Sequence, residues 1–156
     1  MFQKMETEDI ETLIRSQLTG RIGCHADGVT YVVPISYAYD GTYIYVRTFE
    51  GQKLGMLRKN PKVCFQADDT RDLSNWKSVI CQGEFEELVR HEEREHAIRI
   101  LSSRMLPPVS SETMQISPNW PFMPENTDEI KGIFFRIRLT EKTGRCEVAA
   151  LSSFLH

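Results

Sequence analysis

The sequence predicts a mainly β fold, a small antiparallel barrel with flanking helices, and three observations carry that reading. Two Asp-Gly steps, Asp27-Gly28 and Asp40-Gly41, each separate runs rich in β-forming residues. These two residue types tolerate the positive φ of tight primed hairpin turns. About six such runs can be counted along the chain. Only two long stretches show helical period, which leaves helices to cover the ends or sides of the barrel. A β-sandwich is the alternative arrangement of the same strands. At 156 residues the chain fits a single domain spanning 1–156.

The elements follow in order. Residues 7–19 predict an amphipathic helix, with Ile10, Leu13, Ile14 and Leu18 on one stripe. Thr7 is the expected N-cap, Glu8, Asp9 and Glu11 suit the positive helix end, and Gly20 is the expected stop. RIGCHA (21–26), VTYVVPISYAY (29–39) and TYIYVR (42–47) read as three strands joined by the two Asp-Gly hairpins. Pro34 stands inside the second strand and has no N–H to give, so an interruption of the ladder is expected there. Residues 52–60 suit a short helix ending before Pro61, and KVCFQAD (62–68) is the next strand. A loop carrying Asp69, Arg71, Asp72 and Asn75 leads to a long strand, 76–89, with a bend at Gly83. The second main helix covers about 91–105, with Ala97, Ile98, Leu101 and Met105 inward. Residues 106–129 hold five of the seven prolines and read as a long irregular segment, a cover for a cleft or equally a surface wrap. EIKGIFFRIRLTEK, a turn at Thr143-Gly144 and RCEVAAL close the chain.

Composition limits the function. Lys+Arg 19 against Asp+Glu 22 leaves a net charge of −3, without the basic excess that phosphate neutralisation on nucleic acid requires. Apolar runs are only a few residues long, far short of the ~20 that span a bilayer. The first residues carry acids and lack a continuous apolar stretch, so no secretory signal is expected and the cytoplasm is the expected location. Cys24, Cys64, Cys81 and Cys146 form no Cys-x-x-Cys pair and read as reduced, buried strand residues.

Most chemical signatures are missing. His91 and His96 lie five apart, about 140° around a helix of ~3.6 residues per turn, and so do not share a face for zinc. His25 reads as an ordinary strand-end histidine. No Gly-x-Ser-x-Gly, Walker-type loop or Gly-x-Gly-x-x-Gly occurs. The informative stretch is Arg47-Thr48-Phe49-Glu50-Gly51-Gln52-Lys53-Leu54, which leaves a strand and starts a helix. Unpaired first-turn N–H groups and a lysine at that junction suit a phosphate. An ordinary strand-to-helix turn with a solvated lysine fits the same residues.

Taken together, Val33-Pro34 in a strand, the Asp40-Gly41 hairpin, Gly51-x-Lys53-Leu54 at a helix start, Asn60-Pro61 and Trp76-x-Ser78-Val79 arrive in an order that resembles the FMN-binding split-barrel family of pyridoxamine 5'-phosphate oxidase. The likeness covers about residues 20–90, is weaker in FFRIRLTEKTGR, and is most similar to the branch that includes nitroimidazole-resistance proteins. It implies a six-stranded antiparallel split barrel and a homodimer with FMN at the subunit interface. By the same resemblance Val33, Pro34 and Ile35 lie along the flavin ring, and Thr48, Phe49, Gln52 and Lys53 cradle the phosphate, with Arg47 beside them. Lys77 and Ser78 reach the FMN of the other subunit, while Trp76 and Trp120 are candidates for aromatic cover or for core and interface packing.

Two departures narrow the expectation. Arg47 stands where nitroimidazole-resistance relatives commonly carry a histidine, and the C-terminal basic and histidine motif that grips the vitamin substrate is absent. Pyridoxamine phosphate oxidation is therefore not expected. The expected activity is an FMN-dependent oxidoreductase acting on a small organic molecule, with no catalytic acid or base assigned. The alternatives are an FMN protein that stores or senses without turnover, or another ligand, such as haem or a deazaflavin, in the same cleft.

Overall fold

The Asp27-Gly28 step turns as its residue types require, with φ of 52° and 78°, and sets the register of the first hairpin. The computed structural model describes residues 2–104 and 127–149. In chain order these form β1 (Gln3–Lys4), α1 (Thr7–Ser16), β2 (Thr19–Ala26), β3 (Val29–Ser36), β4 (Ala38–Tyr39), β5 (Tyr43–Thr48), α2 (Gln52–Lys59), β6 (Lys62–Asp72), β7 (Asn75–Leu88), α3 (His91–Ser102), a 3-10 turn (Thr127–Glu129) and β8 (Ile133–Glu147). β2, β3, β5, β6 and β7 fall on five of the expected runs, β8 joins the two runs expected on either side of Thr143-Gly144, β4 is the end of the expected 29–39 strand, and β1 is a two-residue addition. No helix among the described residues is long and apolar enough to cross a membrane.

The strands form one antiparallel sheet in the order β3-β2-β6-β7-β8-β5-β4, with β1 beside β8. The expected single strand 29–39 is therefore two strands at opposite ends of the sheet. The chain crosses between them at Tyr37, whose N–H donates to the Leu18 carbonyl (3.1 Å) and whose hydroxyl donates to the Ile14 carbonyl (2.7 Å). Beyond the crossing, β3 comes alongside β5. The sheet thus rolls up but leaves a seam between β3 and the Val46–Thr48 end of β5, because β4 covers only Ile44 and Tyr45.

Several boundaries differ from the sequence reading. Pro34 does not interrupt the ladder: β3 pairs with β2 without a shift from Val29 to Ser36. β3 is an edge strand, where a missing N–H leaves no central ladder bond unmade. Helix α1 begins after Glu6 rather than Thr7 and ends at Ser16. Gly20 belongs to β2, where an added Cβ would lie 2.7 Å from both the Gln66 carbonyl and the Phe65 ring. The expected 69–75 loop is a tight hairpin, with Asp72 accepting from the Ser74 N–H (2.8 Å) and the Asn75 amide. Gly83 does mark a register shift. Gly144 makes no turn: β8 runs through it in register with Val79, and the missing Cβ leaves the space that Met5 and Ile10 fill.

The main core fills the barrel, with Ile22, Phe65, Val79, Phe135 and Ile137 fully buried and α1 and α2 closing over it. A smaller cluster lies under α3, around Tyr45, Ile98, Leu101 and Phe134. Cys24 and Cys81 are buried, Cys64 and Cys146 half-buried, and all four are free thiols.

Candidate functional site

The seam opens into a cleft of about 260 Å³ lined by Thr19, Pro34, Ile35, Ser36, Val46, Arg47, Thr48 and Lys53. Five of the predicted site residues (Pro34, Ile35, Arg47, Thr48 and Lys53) meet there. Their convergence follows from closure: β3 supplies one wall, β5 the other, and α2 the floor at one end.

Thr48 ends β5 and is buried at 5% exposure. Its hydroxyl reaches the Phe49 carbonyl at 3.3 Å. Helix α2 starts at Gln52 with no side-chain cap, so its first-turn N–H groups are left for water or a ligand. Lys53 stands on that first turn, half-buried, and burial pushes its pKa down, with the Cys24 thiol pulling weakly the other way. Among the described residues its ammonium has no carboxylate partner. Two other lysines have carboxylate partners, Lys59 with Asp27 at 2.6 Å and Lys142 with Glu11. A desolvated cation without a counter-charge is costly alone and favours an anion beside it.

Arg47 is held by its surroundings. Its Nε donates to the Lys131 carbonyl at 2.7 Å and its guanidinium lies over the Phe49 ring at 5.2 Å. Gly132 makes this possible, with φ of 112° and a Cβ position only 3.0 Å from Arg47 Nε. The sequence reading missed this Lys131-Gly132 brace; a glycine just before a long β-run was the available signal. It also missed Thr19, Ser36 and Val46.

The remaining predicted residues lie elsewhere. Val33 packs against the barrel core rather than lining the cleft. Phe49 and Gln52 are exposed beside it. Lys77 lines a second cleft of about 200 Å³ with Asp69, Arg71, Asn75, Trp76, Glu147 and Val148. There the Trp76 indole donates to Glu147 (3.1 Å) and meets the Phe2 ring edge-on. Ser78 accepts from the Gln66 amide on the outer sheet face. Trp120 lies outside the described residues, as does most of the 106–129 segment. The two α3 histidines serve other ends: His91 bonds Asp128 at 2.8 Å, and His96 meets Tyr45 edge-on. No metal-binding cluster occurs among the described residues.

An antiparallel barrel split along one seam, with a cationic cleft in the split, defines the class of fold. The profile of the family described as Pyridoxamine 5'-phosphate oxidase matches residues 6–146, and the chain belongs to that family. An uncharacterized protein of Rhizobium meliloti is 31% identical over 156 residues, covering 93% of this chain and 95% of that one. The crystal structure of a FAD-binding protein from Mesorhizobium loti superposes with a TM-score of 0.71 at 28% identity, covering 96% and 99% of the two chains. A candidate 5-nitroimidazole antibiotic resistance protein from Bacteroides thetaiotaomicron shares the fold at 19% identity, with a TM-score of 0.70 over 94% of this chain and 87% of that one.

Proposed function

We propose that this chain is an FMN-dependent oxidoreductase that works as a homodimer in the cytoplasm on a small organic substrate. The observation that carries the reading is Lys53: a half-buried ammonium without a carboxylate partner among the described residues, on an uncapped helix start, at the mouth of the seam cleft. That donor set fits a phosphate monoester. Lys53 and the first-turn N–H groups of α2 hold the phosphate, with Thr48 beside them, while Pro34 and Ile35 supply an apolar wall. Bound FMN supplies the redox chemistry, and the protein supplies binding and orientation. The relative from Mesorhizobium loti carries the name of a FAD-binding protein, so the flavin released from this chain is to be identified chromatographically, with FMN expected.

The same geometry supports a second subunit. As lined by the described residues the cleft is about 260 Å³, somewhat below the ~300–1,000 Å³ usual for ligand pockets, which fits a site completed by another surface. Pro34 pairs with Arg21, Arg21 with Gln66 and Gln66 with Ile80, which places all four on one outer sheet face. That face exposes Val32 (62%) and Ile80 (48%). It also holds the Gln66 Oε1, buried with no hydrogen-bond partner among the described residues. Two-fold self-pairing of the face covers Val32 and Ile80 and offers Ser78 of the partner subunit to the cleft, whereas Lys77, next along β7, belongs to the opposite face. Light scattering is expected to return twice the 18.1 kDa of one chain; a monomer mass rejects this part of the reading.

The described cleft lining holds no carboxylate, histidine or thiol, which favours flavin binding without turnover as the second reading. One experiment separates the two. The purified protein is expected to be yellow, to bleach anaerobically with NADH or NADPH and to recover on adding an acceptor. Yellow protein that no donor reduces supports the binding role. Protein that stays colourless after incubation with excess FMN rejects both.

A further inference from the structure

The turn that leads into α2 has little burial to hold it, since Phe49, Glu50 and Gly51 are all exposed. Arg47 and Thr48 touch Phe49 at its start, and one further side chain holds Glu50. The Arg58 guanidinium takes both oxygens of Glu50 in a fork, Nη1 to Oε2 and Nη2 to Oε1 at 3.1 Å each, and gives its Nε to Glu87 Oε1 at 2.7 Å. Glu87 stands near the end of β7, where it pairs with Phe135 of β8, three residues beyond Glu84, the last β7 partner of β6. Arg58 therefore links the turn to the β7–β8 ladder of the barrel. An isolated surface ion pair contributes little, but a bidentate carboxylate fork fixes direction as well as distance. The residues it fixes are those between Thr48 and Lys53, on which the phosphate contacts depend.

We propose that Arg58 is a positioning residue for the anion-binding turn, acting through Glu50 with Glu87 as its anchor; this rests on the FMN reading above. The alternative is that these charges act on the ligand only through space, and the two accounts differ in sign at Glu50. Removing a carboxylate near a bound phosphate strengthens binding if charge alone matters, and weakens it if the carboxylate holds the turn.

The test is FMN and riboflavin affinity, read by flavin fluorescence, for wild type, Arg58→Gln, Glu50→Gln and the double variant. Both single variants are expected to bind FMN roughly tenfold more weakly, the scale of one lost charge-assisted hydrogen bond. Riboflavin, which has no phosphate, is expected to bind each with little change. The double variant is expected to be no worse than Arg58→Gln, because the two residues act as one unit. Unchanged or tighter FMN binding by Glu50→Gln overturns the clamp, as does an equal loss of riboflavin. Wild type that takes no FMN overturns the function and the clamp together, whereas wild type that binds beside an unweakened Glu50→Gln overturns the clamp alone.

Discussion

Phe65→Ala is expected to destabilise the protein by about 3–5 kcal/mol, the usual cost of emptying a buried aromatic site. Phe65 is fully buried at the centre of β6 and packs edge-on against Tyr37, with ring centroids 4.9 Å apart. Its ring also occupies the space over Gly20, so the cavity would open beside the β2 end that carries Thr19 into the cleft. Tyr37 cannot simply follow the lost ring, because its hydroxyl is bonded to the Ile14 carbonyl and its backbone is at the crossing between β3 and β4. A loss of that size is a large part of the ~5–15 kcal/mol that stabilises a typical domain. Urea denaturation at equal protein concentration measures it, and a change below about 1 kcal/mol would mean the core repacks around the site.

Lys53→Ala is expected to weaken FMN binding by about 1–3 kcal/mol, roughly ten- to a hundredfold. Riboflavin affinity is expected to stay near the wild-type value, since the lysine is assigned to the phosphate. The ligand-free protein should lose nothing, because burial lowers the Lys53 pKa and so makes its charge a cost. The sign follows from linkage. A base with a folded pKa below its unfolded value binds more protons when unfolded, so its contribution to stability rises as pH climbs through that interval and is unfavourable below it. Ligand-free Lys53→Ala is therefore expected to be as stable as wild type at neutral pH, or slightly more so. Equal FMN affinity in the two proteins removes Lys53 from the site.

Much of this molecule could be read locally. Alternating β-formers, the Asp27-Gly28 turn and the helical stripe of Ile10, Leu13 and Ile14 all formed as their side chains and dihedral preferences require. The register shift at Gly83 was also legible, because a strand glycine marks either a bulge or a close approach. Gly20 and Gly144 show the limit of such reasoning. Both look like stops or turns in sequence, yet both are strand residues whose missing Cβ admits a neighbour: Phe65 from 45 residues away, and Met5 from the N-terminal segment. Pro34 misled for a related reason. Whether a proline breaks a ladder depends on which strand lies on its free side, and here none does.

The same division runs through the site. Lys53 and Thr48 were legible because a strand-to-helix junction with a lysine is a local pattern with a local electrostatic meaning. The Lys131-Gly132 brace on Arg47, and the fork from Arg58 to Glu50 and Glu87, join segments up to 84 residues apart and left no signature in any one segment.

The amino-acid order by itself determined which segments become strands and helices, how the first hairpin turns, and where a helix start meets a cation, since each depends on neighbours within a few residues. Only the tertiary structure decided that β3 and β4 part to opposite edges, that a seam remains between β3 and β5, and that this seam holds the cleft. Those features arise when a sheet rolls up and its edges meet or fail to meet, and sheet closure is set by packing between residues remote in the chain.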